Sequence, residues 1–383
     1  MNFLFIAPRF HTNQVNIVET LIKKGHKVEF YCATIGSTED HSLIVPIIIK
    51  ESFFSKLKRK LGLASGVNNK SYFPSFLSLF FAMYAFKPDV IIIRLHGRIF
   101  SYMAAIIAKL LGSKIVFYEQ AVLNDIIDHH DLKVNSFKRM IQFIRFYFPM
   151  WFFHGAWMTP LTKNGLNKKS NCLYYVPFSV KIFSDGLSYS QPFKILDIGK
   201  FQNRKNHFLL LKALEPFISK YNIELTIIGE ESTLAHKEYR KNLDDYIQMH
   251  HLESHVSVIA NVPYDKIADY YRENHLFVLP ATNEPAAISP LEAMGYGLPV
   301  LCSDTCGSSS YITNDINGLI FKSDDIDSLR QCLEKVIHQD GYTKIKENLI
   351  KDRQNNISGE AYYSKLRFML LDRFGLDCES KHD

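Results

Sequence analysis

The sequence predicts an α/β protein built from two doubly wound parallel-sheet domains. Three observations carry that prediction: the length, a strand–helix alternation that starts twice, and one segment near residue 290 whose strand, loop, helix and caps agree. At 383 residues the chain exceeds one ordinary core and suits two domains. A hydrophobic fraction of 47% against 22% charged residues is that of a globular chain.

In chain order, apolar runs at 3–7, 27–32, 90–94 and 114–118 read as strands, with helical periodicity at 15–24 and 102–111 between them. Gly25 after Lys23-Lys24 and Gly112 after Leu111 are helix stops. Alternation of this kind predicts a parallel sheet with helices on both faces. The polar stretch from Ser184 to Pro192 reads as an interdomain linker. The pattern then restarts with a strand at 194–198, a helix at 206–219 and strands at 225–228 and 255–259. A helix at 267–272, strands at 276–279 and 300–303, and helices at 326–338 and 361–373 follow. The expected divisions are 1–180, a linker at 181–192, 193–355, and a C-terminal helix within 356–383.

Bulk features exclude several classes. The net charge of +6 permits a phosphorylated ligand or an anionic surface without requiring either. Six scattered cysteines form no C-x2-C pair, as expected of reduced thiols in a cytosolic protein rather than a metal site. The apolar start at 3–7 is too short for a leader and ends at Pro8-Arg9; the run at 76–86 is too short to span a bilayer and is broken by Ser78. Residues 53–61 and 137–153 mix aromatic and basic side chains. That composition suits an anionic membrane surface; core helices also show it, and for 137–153 the two readings weigh equally. No nucleic-acid motif accompanies it, and no G-x-G-x-x-G follows a predicted strand, which argues against a dinucleotide oxidoreductase.

The segment from Asn283 to Val300 is the most informative. It follows the apolar run Leu276-Phe277-Val278-Leu279, of the kind buried on both sheet faces. Ser289 suits an N-cap, Pro290 the first helical position, and Gly295 or Gly297 the stop. Glu284 then lies on the loop leaving a strand, and Glu292 in the first turn of the next helix, held ionised by the helix N-terminus. Carboxylates so placed can each accept hydrogen bonds from vicinal hydroxyls of a ribose or hexose. A second basic segment, Gly199-Lys200-Phe201-Gln202-Asn203-Arg204-Lys205, also precedes a helix, where phosphates bind.

Glu284 and Glu292, separated by seven residues on a strand–loop–helix unit and followed by Gly-Leu-Pro-Val, resemble the E-x7-E motif of retaining glycosyltransferases of the family 4, or "glycosyl transferases group 1", type. The resemblance is dense over 194–340 and thin before 180. It implies the GT-B architecture, two Rossmann-like domains facing each other across a cleft, with a C-terminal helix returning to the first domain. It implies a hexosyl- or N-acetylhexosaminyltransferase of bacterial surface-polysaccharide synthesis. Such an enzyme moves sugar from a nucleotide-sugar, expected to be UDP-linked, to a lipid-linked or oligosaccharide acceptor. No resident cofactor and no protein-bound metal are expected, and the location implied is cytoplasmic, at the inner face of the cell membrane.

On this resemblance Glu284 orients the donor sugar, Glu292 holds the ribose, and Lys200 and Lys205 stabilise the departing diphosphate. Lys200 stands where the family usually has Arg and lacks its bidentate fork. Backbone N–H groups of Ile288, Ser289 and Leu291 are further donor-site candidates. Ala286 and Ala287 replace a usual aromatic and Gly. In the first domain His11 and Asn13 stand where relatives carry a Gly-Gly loop and are acceptor-side candidates for binding acceptor or donor hydroxyls. Glu119 is a candidate for a role near the sugar, and His96 and Arg98 for the acceptor side. A sugar-nucleotide epimerase of the same architecture and an inactive nucleotide-sugar-binding protein are the alternatives.

Overall fold

The computed structural model describes residues 1–10, 12–35, 42–61, 72–94, 98–120, 140, 148–161, 172–183 and 186–379. The chain divides into two compact units, Met1–Ser179 with Gly359–Asp383, and Val180–Ser358.

The sheet of the first unit contains β1 (Asn2–Ile6), β2 (Lys27–Cys32), β3 (Ile47–Ile48), β4 (Val90–Arg94), β5 (Lys114–Tyr118), β6 (Ala156–Thr159) and β7 (Leu173–Tyr175), in the order β3-β2-β1-β4-β5-β6-β7. Every pairing is parallel. Val90-Ile91-Ile92-Ile93 explains why both faces are covered. Val90 and Ile92 join the core on one face, and Ile91 and Ile93 the core on the other. Helix α1 (Val15–Lys23) packs into the first of these cores. The second takes α3 (Phe76–Phe86) and α4 (Ile99–Leu111). Gly112 closes α4 in the left-handed conformation at φ 79°. The segment at 53–60 forms helix α2 (Phe53–Lys60), whose aromatic side chains point outward: Phe53 and Phe54 are 73% and 70% exposed. Most of 137–153 lies outside the described residues.

The second unit holds β8 (Phe193–Ile198), β9 (Ile223–Gly229), β10 (Val256–Ala260), β11 (Leu276–Leu279), β12 (Val300–Ser303) and β13 (Gly318–Phe321), again all parallel, in the order β10-β9-β8-β11-β12-β13. Its helices are α5 (His207–Tyr221), α6 (Leu234–Met249), α7 (Tyr264–Glu273), α8 (Ser289–Gly295), α9 (Ile326–Ile337) and α10 (Gln339–Ile357). The described residues of 181–192, expected as a linker, are instead bound into this unit. Phe183 N–H donates to the Gly295 carbonyl at 3.0 Å, and Lys346 Nζ donates to the Gly186 and Leu187 carbonyls, each at 2.6 Å. Arg353 adds bonds to the Gly295 and Phe183 carbonyls at 2.9 and 3.1 Å. Buried backbone carbonyls need such partners, and α10 supplies them.

The last helix, α11 (Gly359–Phe374), belongs to the first unit. Tyr362, Leu366 and Met369 enter the core beside α1. At its start Lys24 Nζ reaches Glu360 at 2.8 Å, and His26 Nε2 lies 2.9 Å from the Tyr363 hydroxyl. Near its end Arg373 Nε donates to the Gly155 carbonyl at 3.0 Å. Among the described residues no helix is long and apolar enough to cross a membrane.

Candidate functional site

In the second unit β8 and β11 are neighbours at the point where strand order reverses, and ligands of open α/β sheets bind beyond the carboxyl ends of such strands. The chain leaving β8 forms a short 3-10 turn, Asn203–Lys205, which Asn206 ends by adopting the left-handed conformation at φ 54°. The chain leaving β11 is tied to that turn. Thr282 N–H donates to the Arg204 carbonyl at 2.8 Å, and the Glu284 carbonyl accepts from Gly307 N–H at 2.8 Å. Strand ends and backbone bonds together set Glu284 against the basic turn.

Three charges meet there. Lys205 Nζ and Arg204 Nη1 each lie 2.7 Å from the same oxygen, Oε2 of Glu284. Lys205 and Glu284 are both 8% exposed. Burial alone would raise the Glu284 carboxyl, but Lys205 and Arg204 outweigh it and hold the group below its usual range. One carboxylate between two cations leaves one positive charge in surplus at the mouth of the strands. The fit of the lysine depends on Gly199. A Cβ there would stand 2.9 Å from Lys205 Cδ, so the missing side chain lets the lysine stem lie against the backbone.

Arg204, rather than Lys200, is the second cation on Glu284. Neighbouring residues at the start of an α-helix diverge, but 203–205 is a tighter 3-10 turn that ends in a left-handed residue, and both side chains reach one oxygen. Lys200 pairs instead with Glu230 at 2.7 Å, both partners substantially exposed. Behind the loop, His207 Nδ1 lies 2.7 Å from Asp197 Oδ2, and both side chains are fully buried. The other ring nitrogen, Nε2, is 3.3 Å from the Lys200 carbonyl, so this pair supports the backbone that carries the basic residues. A charged residue inside the apolar strand Ile195-Leu196-Asp197-Ile198 was the signal for it in the sequence.

Glu292 lies on α8 as expected, but its surroundings differ from the expectation. Burial pushes its carboxyl up, opposed by hydroxyl bonds from Tyr271 to Oε2 at 3.0 Å and from Tyr264 to Oε1 at 3.4 Å. The helix is seven residues long, so its N-terminal field is weak, and desolvation wins. Its N-cap is Ile288; the Ser289 hydroxyl points away, to the Ile198 carbonyl at 3.5 Å. Of the N–H groups expected to address phosphate, that of Leu291 is taken by the Ile288 carbonyl at 2.9 Å, and Pro290 has none. Those of Ile288 and Ser289 make no hydrogen bond among the described residues.

Other candidates fall in the first unit. Asn13 sits in the 3-10 turn Thr12–Gln14 before α1, Glu119 follows β5, and Arg98 is the N-cap of α4. His11 and His96 lie outside the described residues. Among the described residues no three His, Cys, Asp or Glu side chains gather as a metal set. The triplet Asp325-Ile326-Asp327 is a helix start: Asp325 accepts from Ser328 N–H at 3.0 Å, and Asp327 pairs with Arg330 at 3.4 Å.

Residues 180–355 match the family described as Glycosyl transferases group 1. The chain is 28% identical over 185 residues to Protein CapJ of Staphylococcus aureus, covering 47% of this chain and 44% of that protein. It is 22% identical over 177 residues to the lipopolysaccharide core biosynthesis mannosyltransferase LpcC of Rhizobium leguminosarum bv. viciae, covering 44% and 50%. The chain thus spans about half or less of the length of these curated relatives. Among solved structures, a glycosyltransferase from Rickettsia africae aligns with TM-score 0.70 at 13% identity, over 98% of this chain and 99% of that one. HepE of Anabaena in complex with UDP aligns at 0.69 and 13%, over 97% and 99%. Both units therefore have the Rossmann-like folds of GT-B proteins.

Proposed function

We propose that this chain, with its glycosyl transferases group 1 domain at 180–355, is a retaining glycosyltransferase of bacterial surface-polysaccharide synthesis. The observation that carries the reading is the meeting of Lys205, Arg204 and Glu284 at the carboxyl ends of β8 and β11. The surplus positive charge suits a diphosphate leaving group, whose charge grows in the transition state. Glu284, kept ionised, accepts hydroxyls of the donor sugar, and Glu292 accepts those of the ribose. The donor we propose is UDP-linked, a choice supported by the UDP held in HepE. No resident cofactor or metal enters the proposal. The first unit takes the acceptor, a lipid-linked saccharide.

The test is donor turnover by the purified chain, offered UDP-, GDP-, ADP- and TDP-sugars with and without saccharide acceptors. Acceptor-dependent nucleotide release from one donor is the expected result. Conversion of a donor without acceptor would make the protein an epimerase, and binding without turnover would make it an inactive relative.

Docking at an anionic membrane follows from the lipid-linked acceptor and is supported by α2. Its start lies beside that of α3, since Ser52 N–H donates to the Phe73 carbonyl and Ser75 N–H to the Lys50 carbonyl, at 2.8 and 2.7 Å. Phe53, Phe54, Phe76 and Leu77 are thereby exposed on neighbouring helix ends, with Lys56 and Lys60 also exposed. We expect co-sedimentation with phosphatidylglycerol vesicles and several-fold less with phosphatidylcholine. The double substitution Phe53→Ser, Phe54→Ser should reduce the former several-fold. Equal recovery of variant and wild type would remove α2 from the membrane reading.

A further inference from the structure

The edges of the two sheets are finished in different ways. The first sheet ends in strands of two and three residues, β3 and β7, which offer little to another chain. In the second, the outer edge of β13 is filled by the turn before it. Asp315 N–H donates to the Gly318 carbonyl at 3.1 Å, and Ile320 N–H to Asn314 Oδ1 at 2.7 Å. The opposite edge strand, β10, is left open among the described residues.

Strand β10 pairs with β9 alone. The His255 carbonyl accepts from Leu225 N–H at 2.8 Å, and Asn261 N–H donates to the Gly229 carbonyl at 2.9 Å, so the odd-numbered residues address β9. By alternation the backbone groups of Val256, Val258 and Ala260 face outward. Val256 N–H is taken by the Leu252 carbonyl at 2.9 Å. The Val256 carbonyl and both groups of Val258 and Ala260 make no hydrogen bond among the described residues. Natural edges are kept from pairing by charged residues, proline or bulges. Val256-Ser257-Val258-Ile259-Ala260 has no charge and no proline, and its register with β9 is unbroken. Beside it a cavity of about 360 Å³ lies between the strand and α6, lined by Asp244, Ile247, Gln248, Glu253, Val256 and Val258, with room for side chains of an added strand.

The open groups are self-complementary. Set antiparallel to itself with Val258 on a two-fold axis, β10 bonds each Val258 N–H to the other copy's Val258 carbonyl. Each Ala260 N–H then meets the other copy's Val256 carbonyl. The cross-strand neighbours are Val258 with Val258, Val256 with Ala260, and Ser257 with Ile259, so no like charges meet. Of the acids lining the cavity, Asp244 has Arg240 Nε of its own helix at 3.7 Å. An isologous contact closes on itself and stops at two copies. We propose that β10 is the interface of a homodimer, in which two six-stranded sheets join into one. The strands of the two copies run in opposite directions there, so each copy keeps its own Lys205–Glu284 site at its own end of the joined sheet. The proposal stands apart from the transferase reading.

Sedimentation equilibrium of the full chain over a wide range of concentration tests it. Wild type should show a reversible monomer–dimer equilibrium and nothing larger. Val258→Pro removes the N–H at the axis from both copies and spares the β9 ladder, which uses the neighbouring residues; association should weaken about tenfold or more. The register has its own test on the other face of the strand, where Ser257 is exposed and Ile259 half-buried. Ser257→Lys with Ile259→Lys sets like charges across the axis and should abolish the dimer at low salt. Ser257→Glu with Ile259→Lys sets opposite charges there and should retain it. Circular dichroism and melting curves beside wild type show which variants fold. A monomeric wild type overturns the proposal, as does a dimer that the paired lysine substitutions leave intact. A monomer that binds a peptide of alternating Lys and Val gives the edge to a basic strand of another protein, and overturns it equally.

Discussion

Replacing Lys205 by Met is expected to lower the rate of sugar transfer about 10²–10³-fold, the range seen when one preorganised donor to a developing negative charge is removed. The lysine is nearly enclosed, its stem rests on Gly199, and its Nζ shares Glu284 Oε2 with Arg204. It is therefore already in place before a donor arrives, and little reorganisation is needed as the diphosphate departs. Met keeps the stem and the packing on Gly199. Glu284 keeps Arg204, so the buried carboxylate is not stranded and the variant should fold. Lys200→Met is the informative contrast, because Lys200 is exposed and paired with Glu230, and should change the rate only a few-fold. Single-turnover measurement of nucleotide release from both variants decides the matter. A Lys205→Met enzyme within threefold of wild type would refute the role assigned to the Lys205–Glu284 pair.

That contrast also marks the limit of what the sequence made legible. Strand runs such as Leu276–Leu279 and stops such as Gly112 are local signals, readable because buried parallel strands are continuously apolar and a left-handed stop favours glycine. Glu284 and Glu292 were placed correctly on loop and helix for the same reason. The partner of Glu284 was not readable. Whether Lys200 or Arg204 reaches it depends on a left-handed Asn206 and a 3-10 turn, which no periodicity records. Helix α6 was missed because most of its surface is polar and only Tyr239, Leu243 and Ile247 are buried. Residues 181–192 read as a linker because the cations that satisfy their carbonyls, Lys346 and Arg353, lie more than 150 residues further along the chain.

Replacing Glu292 by Ala is expected to weaken nucleotide binding about tenfold or more, since each charge-assisted bond to a ribose hydroxyl is worth about 1.5–3 kcal/mol. The structure adds a dependence on pH. Burial raises the Glu292 carboxyl above its ordinary 4.5, with the Tyr271 and Tyr264 hydroxyls opposing. Only the ionised group can accept from both ribose hydroxyls while keeping those tyrosines. UDP affinity should therefore fall as pH drops through the raised value, earlier than an ordinary glutamate would dictate, and Glu292→Gln should show no such fall. Linkage gives the opposite sign for the unliganded fold. A carboxyl raised by folding contributes stability that is full below its unfolded value and lost as pH rises through the folded one. At neutral pH a partly buried, ionised Glu292 is a cost to the empty protein, so Glu292→Gln should melt higher than wild type without nucleotide and lower with it. Titration of UDP from pH 8 to pH 5, beside melting curves at pH 7, tests both signs. Equal UDP affinity in wild type and Glu292→Gln would remove Glu292 from the nucleotide site. Crossed melting temperatures would identify a residue kept for its ligand at the expense of the fold.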